Sequence, residues 1–174
     1  MKNTVPSAKV RSAFANAVMA RKSTAMLIDK DNHEAGWLRV DDAVERDACF
    51  AVAVGEQVLA VDCDNGDLAA VDELCACIEA RGAHPVVFAS GRPSHRHVFA
   101  AVEDDATREL LAKEAKRLGF DLRSGARRIR PPFARHRCGG RSRLLVPSSP
   151  RKALEMLTIP DPRCPLSPRM NVLL

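Results

Sequence analysis

Apolar positions fall in short runs and amphipathic stretches. Residues 57–64, QVLAVDCD, set four apolar side chains in a row, Val58, Leu59, Ala60 and Val61, ahead of two acids, Asp62 and Asp64. A run this short and this apolar predicts a buried strand. Residues 49–54 form another, and with only Gly55 and Glu56 between them the pair predicts a hairpin whose second strand delivers the acids. Further runs at 85–89, 95–102, 120–122 and 143–146 predict four more strands, with a polar turn at 90–94.

Helical spacing alternates with these strands. Residues 7–22 bring Val10, Phe14, Ala17 and Val18 to one face opposite a basic one. Residues 67–81 predict a second helix, with Asp67 as N-cap, Leu68, Val71, Leu74, Cys75 and Ile78 inward, and Gly82 as its stop. Asp104 or Asp105 caps a third, with Ala106, Leu110, Ala115 and Leu118 inward before Gly119. Ahead of the hairpin, 29–36 is polar and turn-like, 37–40 a short strand, and Asp41 or Asp42 caps a short helix. From 147 onward six prolines and one helical patch, 151–157, predict a loosely packed extension.

Together these elements predict an α+β fold: a small twisted, mostly antiparallel sheet, helices on one face, and acids at strand ends. The expected division is an N-terminal helical flank at 1–48, a core at 49–146 and a Pro-rich extension at 147–174. A parallel, doubly wound sheet is the alternative.

Composition narrows the class. With 174 residues, 46% of them hydrophobic, the chain can bury one core. No run of 18 apolar residues offers a membrane-crossing helix, so no membrane partner is expected. Residues 1–28 hold five basic residues and no acid, which fits a targeting presequence and, more simply, a basic helix. Six cysteines without paired C-x-x-C knuckles point to reduced thiols and a cytoplasmic location.

The net charge of +5 conceals a strong polarity. Residues 122–152 carry ten Arg and Lys and no acid, whereas 29–121 carry ten basic and twenty acidic residues. An acidic half able to hold metal, followed by an Arg-rich segment able to hold phosphate, suits a polyanionic ligand. A merely solvated basic surface stays open.

Three motifs carry candidate chemistry. Asp62 and Asp64, two apart on a strand, share a face, and adjacent carboxylates repel unless a cation lies between them. A divalent metal is the natural partner, and without one Asp62→Asn is expected to leave the melt unchanged or slightly higher. The second motif, SGRPSHRHVF at 90–99, offers a triphosphate the Ser90 hydroxyl, the Arg92 guanidinium and the imidazoles of His95 and His97, which share a face. His84 reads as structural. In the third, FDLRSGARRIRPPFARHRCGGR at 120–141, Asp121 is either paired to an arginine or a third metal ligand.

In that order the motifs resemble the archaeo-eukaryotic primase superfamily, in particular the bifunctional primase-polymerase domains of plasmids, phages and actinobacterial mobile elements. VDCD looks like the family's D-x-D, SGRPSHRHVF like its serine-glycine turn leading to a histidine, and FDLR with IRPPFARHRCGGR like its third acid and the following R-P-P-x-x-x-H-R-x-G stretch. The resemblance covers residues 58–146, and no zinc-binding insertion or helicase region accompanies it. It implies template-directed nucleotidyl transfer by a two-metal mechanism on single-stranded DNA, with nucleoside triphosphates as substrates and a separate helicase or replication initiator as a possible partner. By that resemblance Asp62, Asp64 and Asp121 would hold Mg²⁺ or Mn²⁺, Ser90, Arg92 and His97 the triphosphate, and Arg128, Arg130 and His136 phosphate or template. The serine-to-histidine gap leaves His95 in contention with His97. Two other readings are open: a non-catalytic DNA-binding accessory protein, and a haloacid-dehalogenase-type phosphatase, which VDCDNGDL and VVFASGRP also resemble and which would demand the parallel sheet.

Overall fold

A computed structural model describes residues 5–20, 24–124 and 127–158. Ser7 caps helix α1 (Ala8–Val18) by accepting a hydrogen bond from the Val10 N–H, and Phe14, Ala15 and Val18 form its buried stripe. Arg21 and Lys22, where the predicted helix ended, lie outside the described residues. Strands β1 (Ala25–Ile28) and β2 (Glu34–Leu38) follow, joined by a turn in which Asp29 Oδ1 accepts from the N–H groups of Asp31 and His33. The segment expected as a helical flank thus supplies two strands as well. In helix α2 (Val40–Glu45) the N-cap is Arg39, and Asp41 and Asp42 sit in the first turn. There their charge still favours the positive end of the helix, which corrects the expected cap.

Strands β3 (Phe50–Ala53) and β4 (Val58–Cys63) do not pair with each other, so the predicted hairpin is absent. The end of α1 takes the intervening backbone instead: Val54 bridges Met19, and the Gly55 N–H donates to Val18 O at 3.0 Å. Held there, the chain crosses from one sheet to another. Helix α3 (Leu68–Glu79) opens on Asp67, whose carboxylate accepts from Ala70 N, and strands β5 (Val86–Ala89) and β6 (Arg96–Ala101) follow. Helix α4 (Asp105–Arg117) is capped by Asp104. Its buried residues are Leu111 and Ala115, and Leu118 packs against the same core, so Ala115 and Leu118 face inward as predicted while Leu111 takes the place of the exposed Leu110. Leu68 of α3 is likewise exposed.

Three short strands, β7 (Asp121–Leu122), β8 (Arg128–Ile129) and β9 (Arg143–Val146), complete two antiparallel sheets, ordered β2-β1-β3-β8 and β7-β4-β6-β5-β9. Among the described residues every strand pairing is antiparallel, which removes the doubly wound alternative. The α+β class holds, with one correction: helices cover both faces of the larger sheet. Leu59, Val61, Val87 and Val98 pack toward α3 and α4. Val58, Ala60, Val86, Phe88 and Phe99 pack toward the other core, which holds residues of α1, α2 and the smaller sheet. A strand buried on both faces is why 58–61 reads as a continuous apolar run.

Helix α5 (Pro150–Leu157), capped by Ser149, buries Ala153, Leu154 and Leu157 in that same core. This part of the extension is therefore docked, not loose. Residues 159–174, with prolines 160, 162, 165 and 168 and Cys164, lie outside the described residues. Phe133 inserts between Phe14 and Phe88, edge-on to both at 5.0 and 5.1 Å. That contact fixes the Pro-Pro-Phe segment to the core and positions the loop after it. No described helix is long and apolar enough to cross a membrane, and the five described cysteines are free.

Candidate active site

One face of the larger sheet changes character along its strands. On β4, Val58 and Ala60 join the inner core, and Asp62 and then Asp64 continue the same parity beyond it. On β5 and the residue after it, Val86 and Phe88 are succeeded by Ser90; on β6, Phe99 is preceded by His97. The polar members gather at one end, where a cleft of about 350 Å³ opens toward the smaller sheet. Its walls include Asp62, Asp64, Ser90, Arg92, His95 and His97 from the larger sheet and its loops. Arg128, Arg130 and His136 line it from the Arg-rich segment, Met26, Ile28 and Ala51 from the smaller sheet, and Cys49 from just before β3. Eight of the nine predicted site residues thus meet in one cavity. Asp121 is not among its walls.

Strand register explains how Asp121 still joins the group. Asp62 is paired with His97 on one side and with Asp121 on the other, so three polar side chains lie in a row across β6, β4 and β7. His97 Nε2 is 3.4 Å from Asp62 Oδ1. Arg123, just past β7 and tied to the sheet by its N–H to Ala60 O at 2.8 Å, donates from Nη2 to Asp62 Oδ2 at 2.9 Å and lies 3.1 Å from Asp121 Oδ2. Arg127 adds a longer contact to Asp121 at 3.7 Å. Of the two open roles for Asp121, arginine pairing is the one present. Sequence reasoning missed Arg123 as a site residue, although its spacing of two from Asp121 was the signal for a shared face.

The electrostatics follow from these contacts. Burial pushes the Asp62 pKa up, but the hydrogen bond and charge of His97 and the charge of Arg123 outweigh it and hold the carboxyl at about 2. Burial pushes His97 below the ordinary imidazole range, against the pull of Asp62. The charge that His97 lends Asp62 therefore arises only once the ring is protonated at low pH; above that, with Nε2 toward the carboxylate, the neutral ring leaves Nδ1 as an acceptor, and that atom is buried without a partner. The Nε atoms of Arg123, Arg128 and Arg130 are also buried and unpartnered, and burial lowers the pKa of Arg130. Three arginine donors left over around one cleft suit an anionic ligand.

Two loops close the far wall. The Ser90 N–H donates to His95 O at 3.1 Å and shapes the turn, so His95 contributes its carbonyl to the turn while His97 sits on the strand. Gly91, at φ +99°, packs so near His136 that a Cβ there would stand 3.3 Å from His136 Cβ. Only glycine fits both the backbone and the approach. His136 Nδ1 accepts from the Cys138 N–H at 3.0 Å, which puts the proton of the neutral ring on Nε2. Arg137 donates to Lys30 O at 3.1 Å and ties this loop to the β1–β2 turn.

Asp62, Asp64 and Asp121 supply hard oxygen donors of the kind Mg²⁺ or Mn²⁺ takes. In this arrangement Arg123 stands between Asp62 and Asp121 as their cation. Among the described residues, no three His, Cys, Asp or Glu side chains are grouped to hold a metal ion. A metal bound by Asp62 and Asp121 together therefore requires Arg123 to move aside. The chain matches no known protein-family model, and no curated protein matches its sequence.

Proposed function

We propose that this chain catalyses template-directed nucleotidyl transfer on single-stranded DNA, the chemistry of the primase-polymerase enzymes its motifs resemble. The observation that carries the reading is the row His97–Asp62–Asp121 across three adjacent strands, the first two of which line a cleft rimmed by arginines. Asp62 and Asp64 line that cleft together with the phosphate-type donors Ser90, Arg92 and His97. A polyanionic nucleotide needs both.

Ser90, Arg92 and His97 would receive the triphosphate, the serine through its hydroxyl because its N–H is already given to His95 O. Arg128, Arg130 and His136 would hold template or phosphate. A divalent cation, Mg²⁺ or Mn²⁺, held by Asp62, Asp64 and Asp121 would neutralise phosphate charge and lower the pKa of an attacking hydroxyl. Arg123 bridges Asp62 and Asp121 in the metal-free protein, and it already lines the same cleft. Nucleoside triphosphates, a single-stranded template and a separate helicase or initiator are the partners this implies, in the cytoplasm.

The phosphatase alternative needs a parallel sheet, and the pairings here are antiparallel. The accessory-protein alternative is separated by experiment. Incubation with a primed single-stranded template, Mg²⁺ or Mn²⁺ and labelled nucleotides should yield template-complementary product. Template binding without incorporation would favour the accessory reading.

A further inference from the structure

The outer face of the smaller sheet continues the cleft floor to the edge strand β2. Trp37 is in register with Met26, Met26 with Ala51, and Ala53 with Arg128, so these side chains share the face opposite the buried Phe50 and Val52. Met26, Ala51 and Arg128 are also cleft walls. Arg128 lies across this face with its guanidinium carbon 4.4 Å from the centroid of the Trp37 ring. At its edge the indole Nε1 donates to Glu34 Oε1 at 2.5 Å.

A single exposed apolar side chain means little by itself. Trp37 differs because its orientation is fixed at one edge by a hydrogen bond and on one face by a cation, while it stays 42% exposed. A ring already held in place loses little freedom when a flat ligand stacks on it. Charge selects that ligand. Arg128, Arg130 and Arg137 line the inner side of the platform, whereas Asp29, Asp31 and Glu34 lie on the β1–β2 side. Phosphates are drawn toward the cleft and repelled from the outer edge, where a neutral base is tolerated.

We propose that Trp37, backed by Arg128, is a base-stacking site for a single-stranded nucleic acid whose backbone runs along the arginines into the cleft. This rests on the nucleotidyl-transfer reading for the identity of the strand, and it adds a contact made to bases instead of phosphates. Stacking on one aromatic is tolerant of sequence, because every base has a π-face.

Trp37 is the single tryptophan of the chain, so its emission reports this site alone. The full-length protein is titrated with end-labelled oligothymidylate and with an abasic strand of equal length and charge, following label anisotropy and tryptophan emission together. The expected result is binding of both strands, quenching by the thymidine strand alone, and about tenfold weaker thymidine-strand binding in Trp37→Ala with the abasic strand unaffected. Trp37→Phe should recover part of the loss, since a smaller ring still stacks. Binding with unchanged emission, or an equal loss for both strands in Trp37→Ala, overturns the stacking site and leaves the catalytic reading standing. If neither strand changes the anisotropy, the stacking site and the nucleic-acid reading fall together.

Discussion

Asp62 and Arg123, 61 positions apart, meet at 2.9 Å, and the same guanidinium reaches Asp121 at 3.1 Å. Sequence alone presents Asp62 as repelled by Asp64; in the folded chain Asp62 is already compensated by a cation, which it shares with Asp121. That changes the expected outcome of several experiments.

Asp62→Asn should lower stability, by on the order of 1–2 kcal/mol, because it leaves Arg123 and His97 without their shared partner. This reverses the expectation of an unchanged or higher melt, which assumed an uncompensated carboxylate. Incorporation of nucleotides should be abolished. Denaturant titration and the primer-extension assay read the two effects separately, and a variant that kept full activity would remove Asp62 from the site.

The same group sets an acid limb. Its pKa is 3.8 in the unfolded reference and about 2 in the fold, so its contribution is complete above pH 3.8 and is lost as pH falls through 2. At 1.36 kcal/mol per unit the loss is about 2 kcal/mol for the metal-free protein. Stability measured with chelator between pH 5 and pH 2 should fall in the parent; Asp62→Asn removes this limb but leaves the buried His97 to protonate without its carboxylate, so the two curves should differ by less than that amount.

Arg123→Gln removes the cation and leaves Asp62 beside Asp121 with like charge. The metal-free variant should be less stable by on the order of 1–3 kcal/mol. Mn²⁺ should then raise its melting temperature more than it raises that of the parent, since binding no longer competes with the guanidinium. An equal Mn²⁺ shift in both proteins would show that metal, if bound, does not use the site Arg123 fills.

His97→Ala should raise the nucleotide concentration needed for half-maximal incorporation more than His95→Ala does. His97 is buried on β6 against Asp62, whereas the turn uses the His95 carbonyl, which alanine retains. His97→Gln and a melting curve separate lost binding from lost packing. An effect confined to His95 would place the binding histidine two residues earlier.

Gly91→Ala should destabilise the turn and weaken nucleotide binding together, because the backbone is at φ +99° and the added methyl meets His136. Retained nucleotide binding in this variant would show that the 90–94 turn does not shape the site.

Much of this was present in the order of residues. The caps at Asp67 and Asp104, the apolar strand ending in Asp62, and the turn leading to His97 all depend on neighbours within a few positions, which sequence records directly. The gathering of Asp62, Asp64, Ser90 and His97 at one end of the larger sheet follows from the period-two parity of β4, β5 and β6. Tertiary structure decided what depends on distant partners. The end of α1 took the backbone at Val54 and Gly55 and turned an expected hairpin into a crossover between two sheets. Pairing of β7 beside β4 set Arg123 between two acids, and pairing of β8 beside β3 set Arg128 over Trp37, 91 positions away in the chain. Local pattern specifies which face a side chain takes, but the partner across that face is chosen by strand order, which depends on how the whole core closes.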